Sequence, residues 1–496
     1  MSEKLQKARE WEQKQIEKIP MEQRPVFHFS VPAGWMNDPN GFSSYKGEYH
    51  LFFQYYPYEI HWNSMHWGHS TTRDFITWEY LPAALAPDEA YDNFGVFSGG
   101  AVEADGKQYL MYTGVEEKKA IDGTSQIRQR QCVAVGDGRD YEKLACNPVI
   151  TADALPEGSS REDFRDPKVW KEDGVFYSVI GSRHPDGSGQ IALFSSENMR
   201  DWRFCTILDR CENRYGKMWE CPDFFPLENG GEKRQILMTS PQDMQAEGLE
   251  FHNGNGTIFV IGDYDKAHYD FQRRSVQAVD YGLDFYAPQT LETEDGRRIM
   301  IAWLKSWDND VCPEGLAWSG MMTVPRELTW RDGRVCQNPV RELENYRRDE
   351  VRHSAVVTEE ETEFSQIAGR VADLELEIRD TKPEAGRSYE KLRIKAAWDG
   401  RFYSLIEYDR REKTITFDRT YSGRCRDIIS SRKMKVEETD GRLKLRILLD
   451  RYSCELFVND GMQAMTALID THQEADRISF AADGEAQVEI RKYTLF

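Results

Sequence analysis

"DGKQYLMYTG", residues 105–114, sets a tight turn ahead of a short apolar run that closes on a second turn signal. The same design stands elsewhere in the chain: "GEYHLFFQYY" from Gly47, "EDGVFYSVIGS" from Glu172, "EKRQILMTS" from Glu232 and "DGRRIMIAWL" from Asp295. Marked at Tyr49, Tyr109, Tyr177, Ile236 and Ile299, these runs are 60, 68, 59 and 63 residues apart. A second series, an aromatic after a polar turn at Trp78, Tyr141 and Trp202, steps by 63 and 61. Five such units fill residues 25–335. A strand-rich unit of this length, repeated with no helical pattern between its strands, predicts a five-bladed β-propeller, each unit being one four-stranded blade around a channel.

The flanks read differently. Leu5, Ala8, Trp11, Ile16 and Ile19 fall on one helical face, so residues 1–24 read as a short N-terminal helical extension packed on the body. Residues 336–349, within "CQNPVRELENYRRDEVR", read as a linker helix begun at Pro339. Beyond it, Leu374/Leu376/Ile378, Leu392/Ile394 and Leu443/Leu445/Ile447 alternate with charged residues, as half-buried antiparallel strands do. A hairpin turn is expected at Asp460-Gly461, and residues 350–496 are expected to form a β-sandwich. The predicted fold class is therefore all-β.

Composition removes several functions. The 496 residues carry a formal net charge of −21, which would repel a nucleic-acid backbone rather than neutralise it. No apolar stretch reaches membrane-spanning length, and the charged start lacks a signal-peptide core, so a cytoplasmic enzyme with no membrane partner is expected. Nine cysteines without CxxC pairs read as reduced thiols, and no ligand cluster calls for a metal or other cofactor. Aromatics at 12% suit both strands and a pocket that stacks sugar rings.

Three carboxylates stand out. Asp38 lies in "WMNDPNG" (35–41), where five turn formers from Asn37 to Gly41 predict a sharp bend. Asp166 lies in "EDFRDPKVW" and Glu220 in "GKMWECPDFF". Each neighbours a proline and large aromatics, an odd setting for a solvent-facing acid. Glycosidic cleavage uses two carboxyl groups, and a propeller brings inner strands distant in sequence around one axis. Taken singly, Asp38 reads as a turn former, Asp166 as the partner of Arg165 in an ion pair, and Glu220 as a rim residue.

Taken together and in this order, "WMNDPNG", "FRDP" and "WECP" resemble the three signature motifs of glycoside hydrolase family 32, the invertases, sucrose-6-phosphate hydrolases and fructanases. "YHLFFQYYP", "WGHSTTRD", "GVFSGGAV", "DFYAPQT", "WSGMMTVPREL" and "LLDRYSCELFVNDG" extend the likeness over about 30–465. The resemblance implies a five-bladed propeller with a β-sandwich behind it, and hydrolysis with retention at the fructose anomeric carbon. It implies Asp38 as nucleophile, Glu220 as acid/base and Asp166 as transition-state stabiliser. It further implies a substrate-binding set of Trp35, Asn37, Gln54, Trp62, Phe97, Ser98 and Arg165. Gly100 departs from the pattern, "FSGG" standing for the more usual "FSGS", which puts one hydroxyl contact in doubt. The expected substrate is a small sugar, sucrose or sucrose 6-phosphate, and exposed sandwich strands offer a surface for a homodimer. The alternatives are a fructan exo-hydrolase or fructosyltransferase and, from another class, a non-catalytic sugar-binding propeller. Retention of all three carboxylates counts against the last.

Overall fold

The computed structural model describes residues 1–119, 123–309, 311, 315–382, 386–423 and 429–496, and nearly all their regular structure is β-strand. Five antiparallel sheets come first. Their first strands are Gly34–Tyr45, Gly95–Ala104, Phe164–Glu172, Trp219–Asn229 and Tyr286–Glu292. Each of these touches the next, and the fifth touches the first, so they form a closed ring around one axis. This is the five-bladed propeller that the repeat predicts. The ring is closed by Trp318–Ser319, which pairs in parallel with Gly34–Trp35 and so laces the fifth blade to the first.

Ring position explains the composition of these strands. Each is flanked by blades on both sides, so most of its residues are buried, polar ones included. Their side chains stitch the blades across the axis. Gln289 accepts from Phe42 N (3.2 Å) and donates to Gly99 O (2.8 Å), and Asn40 Oδ1 accepts from Gly99 N (3.2 Å). Lower down, Asp223 Oδ2 accepts from Thr290 N (2.8 Å) and Thr290 Oγ1 (2.9 Å) and lies 3.3 Å from Lys168 Nζ. These bonds partner buried polar groups of one blade with another, as a dry interior demands.

All five first strands share one irregularity. Their ladders slip between Met36 and Pro39, between Phe97 and Gly99, opposite Val179/Gly181 at Arg165–Lys168, between Glu220 and Asp223, and between Tyr286 and Gln289. A proline stands at four of these bulges: Asp38-Pro39, Asp166-Pro167, Cys221-Pro222 and Ala287-Pro288. Proline has no N–H to give a ladder and is tolerated where a bulge has already broken it. Asp166, Cys221 and Ala287 adopt positive φ (65°, 47° and 52°), which turns their side chains out of the sheet pattern.

Asn37–Gly41 is therefore not the sharp turn expected from its composition. It lies inside the strand Gly34–Tyr45, and its turn formers serve two successive bulges instead. At Gly100 more than a hydroxyl is at stake: a Cβ there would lie 3.0 Å from Val169 N and 3.1 Å from Pro167 O, so blade 2 abuts blade 3 at backbone distance.

The N-terminal helix spans Glu3–Ile16, capped by Ser2 Oγ accepting from Leu5 N (3.2 Å). Its buried stripe is Leu5, Ala8 and Glu12, whereas Trp11 is exposed beside Tyr58. Glu12 takes the inward place because it accepts from Ala83 N (2.8 Å). Residues 336–349 do not form one linker helix. Arg334–Pro339 is the outer strand of blade 5, Arg341–Tyr346 is a single 3₁₀ stretch, and Arg347 already begins the next strand. Pairing of that outer strand with Arg326–Arg331 outcompetes helix up to Pro339.

Two six-stranded sheets follow, with Leu374, Leu376, Ile378, Leu392, Ile394, Leu443, Leu445 and Ile447 buried between them. The hairpin at Asp460-Gly461 joins Ser453–Val458 to Gln463–Leu468, with Asn459, Asp460 and Gly461 at positive φ. Buried charges bind this sandwich to the propeller. Arg326 pairs with Asp280 (2.9 Å) and with Glu455, and His28 lies between Asp450 (2.9 Å) and Glu455 (2.7 Å). Burial opposes a charge on His28, yet the two carboxylates prevail and lift its pKa to about 9. Among the described residues no helix is long and apolar enough to cross a membrane.

Candidate active site

The bulges aim Asp38 and Asp166 at a common point, and Glu220, one residue before its own bulge at Cys221, reaches it with a longer side chain. Cys221 marks the centre. Its Sγ lies 3.5 Å from Asp38 Oδ2 and 3.7 Å from Asp166 Oδ2, and its backbone N donates to Asp166 Oδ2 at 3.1 Å. Three blades thus deliver three carboxylates to one place.

Each carboxylate is held differently. Asp38 Oδ2 accepts from Ser98 Oγ (2.6 Å) and Asp38 Oδ1 from Asn37 Nδ2 (3.0 Å). Burial raises its pKa, the Ser98 bond lowers it, and the charge of Glu220 raises it, with a net upward shift. Asp166 is only 6% exposed. Burial pushes it up, Arg165 pulls it down, and Glu220 and Asp38 push it up again, to about 7. Glu220 has its two oxygens divided: Oε1 accepts from Arg165 Nε (3.0 Å) and Nη2 (2.9 Å), and Oε2 lies 2.7 Å from Tyr286 Oη. Tyr286 Oη also lies 3.1 Å from Ser240 O.

Arg165 sits elsewhere than a simple Arg165–Asp166 pair would put it. Its Nε is 4.0 Å from Asp166, while it makes two bonds to Glu220 and one of 2.9 Å to Asp163. The reason is the bulge, which turns adjacent side chains apart. Arg165 therefore orients the Glu220 carboxylate rather than presenting open donors.

The remaining residues of the expected set are held by their own contacts. Trp35 donates Nε1–H to Asn37 Oδ1 (2.9 Å), and Gln54 donates to Val96 O (3.0 Å). Trp62, 38% exposed, packs edge-on to half-buried Phe97 at 5.8 Å. Trp307, 42% exposed, stacks on Trp35 at 6.2 Å and 24°, and Trp303 meets both rings. Trp62 and Trp307 are thus two exposed tryptophans on different loops. Lys305 lies over Trp35; His66 is buried on Ser64 O, while Arg183 and His184 pair with Asp163 and Asp186. Among the described residues, no group of three or more His, Cys, Asp or Glu side chains is disposed to hold a metal.

Tyr286, Cys221, Ser240 and Trp307 escape the sequence reading. A signal for the first existed: Tyr286-Ala287-Pro288 repeats the pattern of Arg165-Asp166-Pro167 and Glu220-Cys221-Pro222.

Two family models account for almost the whole chain: the glycosyl hydrolases family 32 N-terminal domain matches residues 28–339, and the family 32 C-terminal domain matches 342–495. The chain belongs to glycosyl hydrolase family 32. It is 39% identical over 469 residues to a raffinose invertase of Escherichia coli, covering 93% of each. To a sucrose-6-phosphate hydrolase of Zymomonas mobilis it is 38% identical over 446 residues, covering 88% of this chain and 84% of that one. Among solved family 32 structures, a β-fructofuranosidase of Bombyx mori superposes with a TM-score of 0.82 at 31% identity, covering 99% and 97%. Family 32 membership makes this chain a glycoside hydrolase.

Proposed function

We propose that the chain hydrolyses the fructosyl bond of sucrose or sucrose 6-phosphate with retention, Asp38 serving as nucleophile, Glu220 as acid/base and Asp166 as stabiliser. The observation that carries this is the unequal treatment of three carboxylates at one point. Asp38 receives two side-chain donors that favour its ionised form. Glu220 has Oε1 filled by two guanidinium N–H bonds, so a proton it carries resides on Oε2. With Ser240 O as its alternative acceptor, the Tyr286 hydroxyl can turn away and leave the Oε2 proton to the substrate. Once Glu220 is ionised, Tyr286 donates to it.

The steps then balance. Asp38 bonds to the fructose anomeric carbon as that carbon's bond to the glucosyl oxygen breaks, and Glu220 gives its proton to the departing oxygen. Water next attacks the anomeric carbon, Glu220 takes its proton, and Asp38 leaves as carboxylate. Asp166, with Oδ2 fixed by Cys221 N–H, offers Oδ1 to ring hydroxyls whose bonds strengthen as the sugar becomes positive. Methanolysis tests the stereochemistry. In methanol–water the enzyme should yield the methyl fructoside of the same β configuration as sucrose; the α anomer would mean inversion and remove Asp38 as nucleophile.

A further inference from the structure

Most cations near the pocket are spent. Arg165 is bound by Glu220 and Asp163, Arg183 lies 2.9 Å from Asp163, and Arg210 sits 2.9 Å from His184. Lys168 is buried against Asp223 on the axis below. Lys305 differs. It is only 6% exposed, yet among the described residues its ammonium makes no hydrogen bond and no ion pair, and it is not sealed from solvent. Its Nζ stands 5.1 Å from the centroid of the Trp35 ring. Trp35 bonds Asn37, and Asn37 bonds the nucleophile Asp38, so an unpaired cation stands two side chains from the reacting centre.

The loop carrying Lys305 is pinned. Leu304 N donates to Met321 O (2.8 Å), Asp308 accepts from Asn255 N (2.6 Å) and Nδ2 (2.7 Å), and Asn309 Nδ2 donates to Leu283 O (2.6 Å). The same loop holds Trp307 against Trp35. Together they make an aromatic plate with an ammonium beside it, on a frame that needs no rearrangement. An ammonium without a counter-ion beside an aromatic wall is open to pair with an arriving anion. Three carboxylates occupy the fructosyl side and would repel an anionic sugar, so a phosphorylated substrate needs a cation placed away from them.

Granted the fructosidase reading, we propose that Lys305 receives the phosphate of a phosphorylated sugar on the leaving-group side of the pocket, selecting sucrose 6-phosphate over sucrose. The test is kcat/KM on both substrates for the wild type, Lys305→Met and Lys305→Arg, with glucose 6-phosphate and glucose as product inhibitors. Lys305→Met should lose roughly tenfold to hundredfold more on sucrose 6-phosphate than on sucrose, mainly in KM, as expected for one charge-assisted contact. Lys305→Arg should recover much of that ratio, and the Met variant should bind glucose 6-phosphate correspondingly less well while its affinity for glucose moves little. An unmoved ratio would overturn the proposal, whether both substrates lose equally, which would leave Lys305 a prop for Trp35, or neither loses. A wild type that frees fructose from neither substrate would instead remove the fructosidase reading beneath it.

Discussion

Asp166 should weaken the fold it belongs to. Its carboxyl titrates near 7 instead of the ordinary 3.8, mainly because burial penalises the charge. A carboxyl whose pKa is raised on folding costs stability at any pH above its unfolded value. The cost grows as pH climbs from about 4 to 7 and is constant above that. Three units at 1.36 kcal/mol each set a ceiling of about 4 kcal/mol. Asp166→Asn removes the charge but keeps an oxygen for Cys221 N–H, and Arg165 retains Glu220 and Asp163. The variant should therefore be more stable at pH 8 by about 2–4 kcal/mol, while turnover falls roughly 10²–10³-fold for want of the stabilising charge. With an unfolding entropy of about 2 cal/mol/K per residue over a ~300-residue propeller, the gain corresponds to roughly 3–6 °C in Tm. Scanning calorimetry of both proteins from pH 5 to 8 reads it. The gap should widen with pH. An Asn variant no more stable than wild type at pH 8, or a gap that stays flat, would refute the burial argument.

Asp38→Asn should lower kcat by about 10³-fold or more with the fold intact, since an amide cannot form the fructosyl intermediate; a tenth of wild-type kcat in the purified variant would exclude Asp38 as nucleophile. The acid limb of kcat/KM should lie above the ordinary aspartate range, because Asp38 must be ionised and its pKa is raised. Ser98→Ala removes a donor that favours the carboxylate, so the limb should move to still higher pH, and a limb that stayed or fell would contradict this. His28 contributes stability that is complete below about 6.5 and lost as pH rises towards about 9. Wild-type Tm should fall over that window, and His28→Gln, less stable at pH 6, should show a shallower decline; parallel curves would deny the charged lock between propeller and sandwich.

How much of this was legible in the sequence depends on what each residue answers to. The strand-and-turn repeat marks the five blades because every blade must bury the same faces, and alternation marks the sandwich strands because one face of each sheet meets the other sheet. Asn37–Gly41 misleads because composition reports local preference, whereas a ring of five strands imposes pairing on that segment and turns its breakers into bulges. The same competition makes Pro339 the end of a paired strand rather than the start of a helix. Asp38, Asp166 and Glu220 are readable from motifs, each marked by its proline. What Arg165 touches is not, since only the bulge turns it from Asp166 towards Glu220. Tyr286 carries the least chemistry in its local sequence and becomes visible only when the five bulges are laid side by side. Lys305 owes its character to what fails to surround it, which no stretch of sequence can display.

The central claim is that Asp38 takes the fructosyl group while Glu220 manages the proton, and one trapping experiment separates the two. Glu220→Gln should react slowly with sucrose, whose leaving oxygen needs a proton. It should be fast to form the intermediate from a fructoside with a good leaving group. Without its general base the intermediate should persist. Acid quenching, proteolysis and mass spectrometry should then find a single fructosyl adduct on the peptide containing Asp38, and azide added before the quench should remove it. An adduct on another residue, or none despite release of the leaving group, would contradict the account.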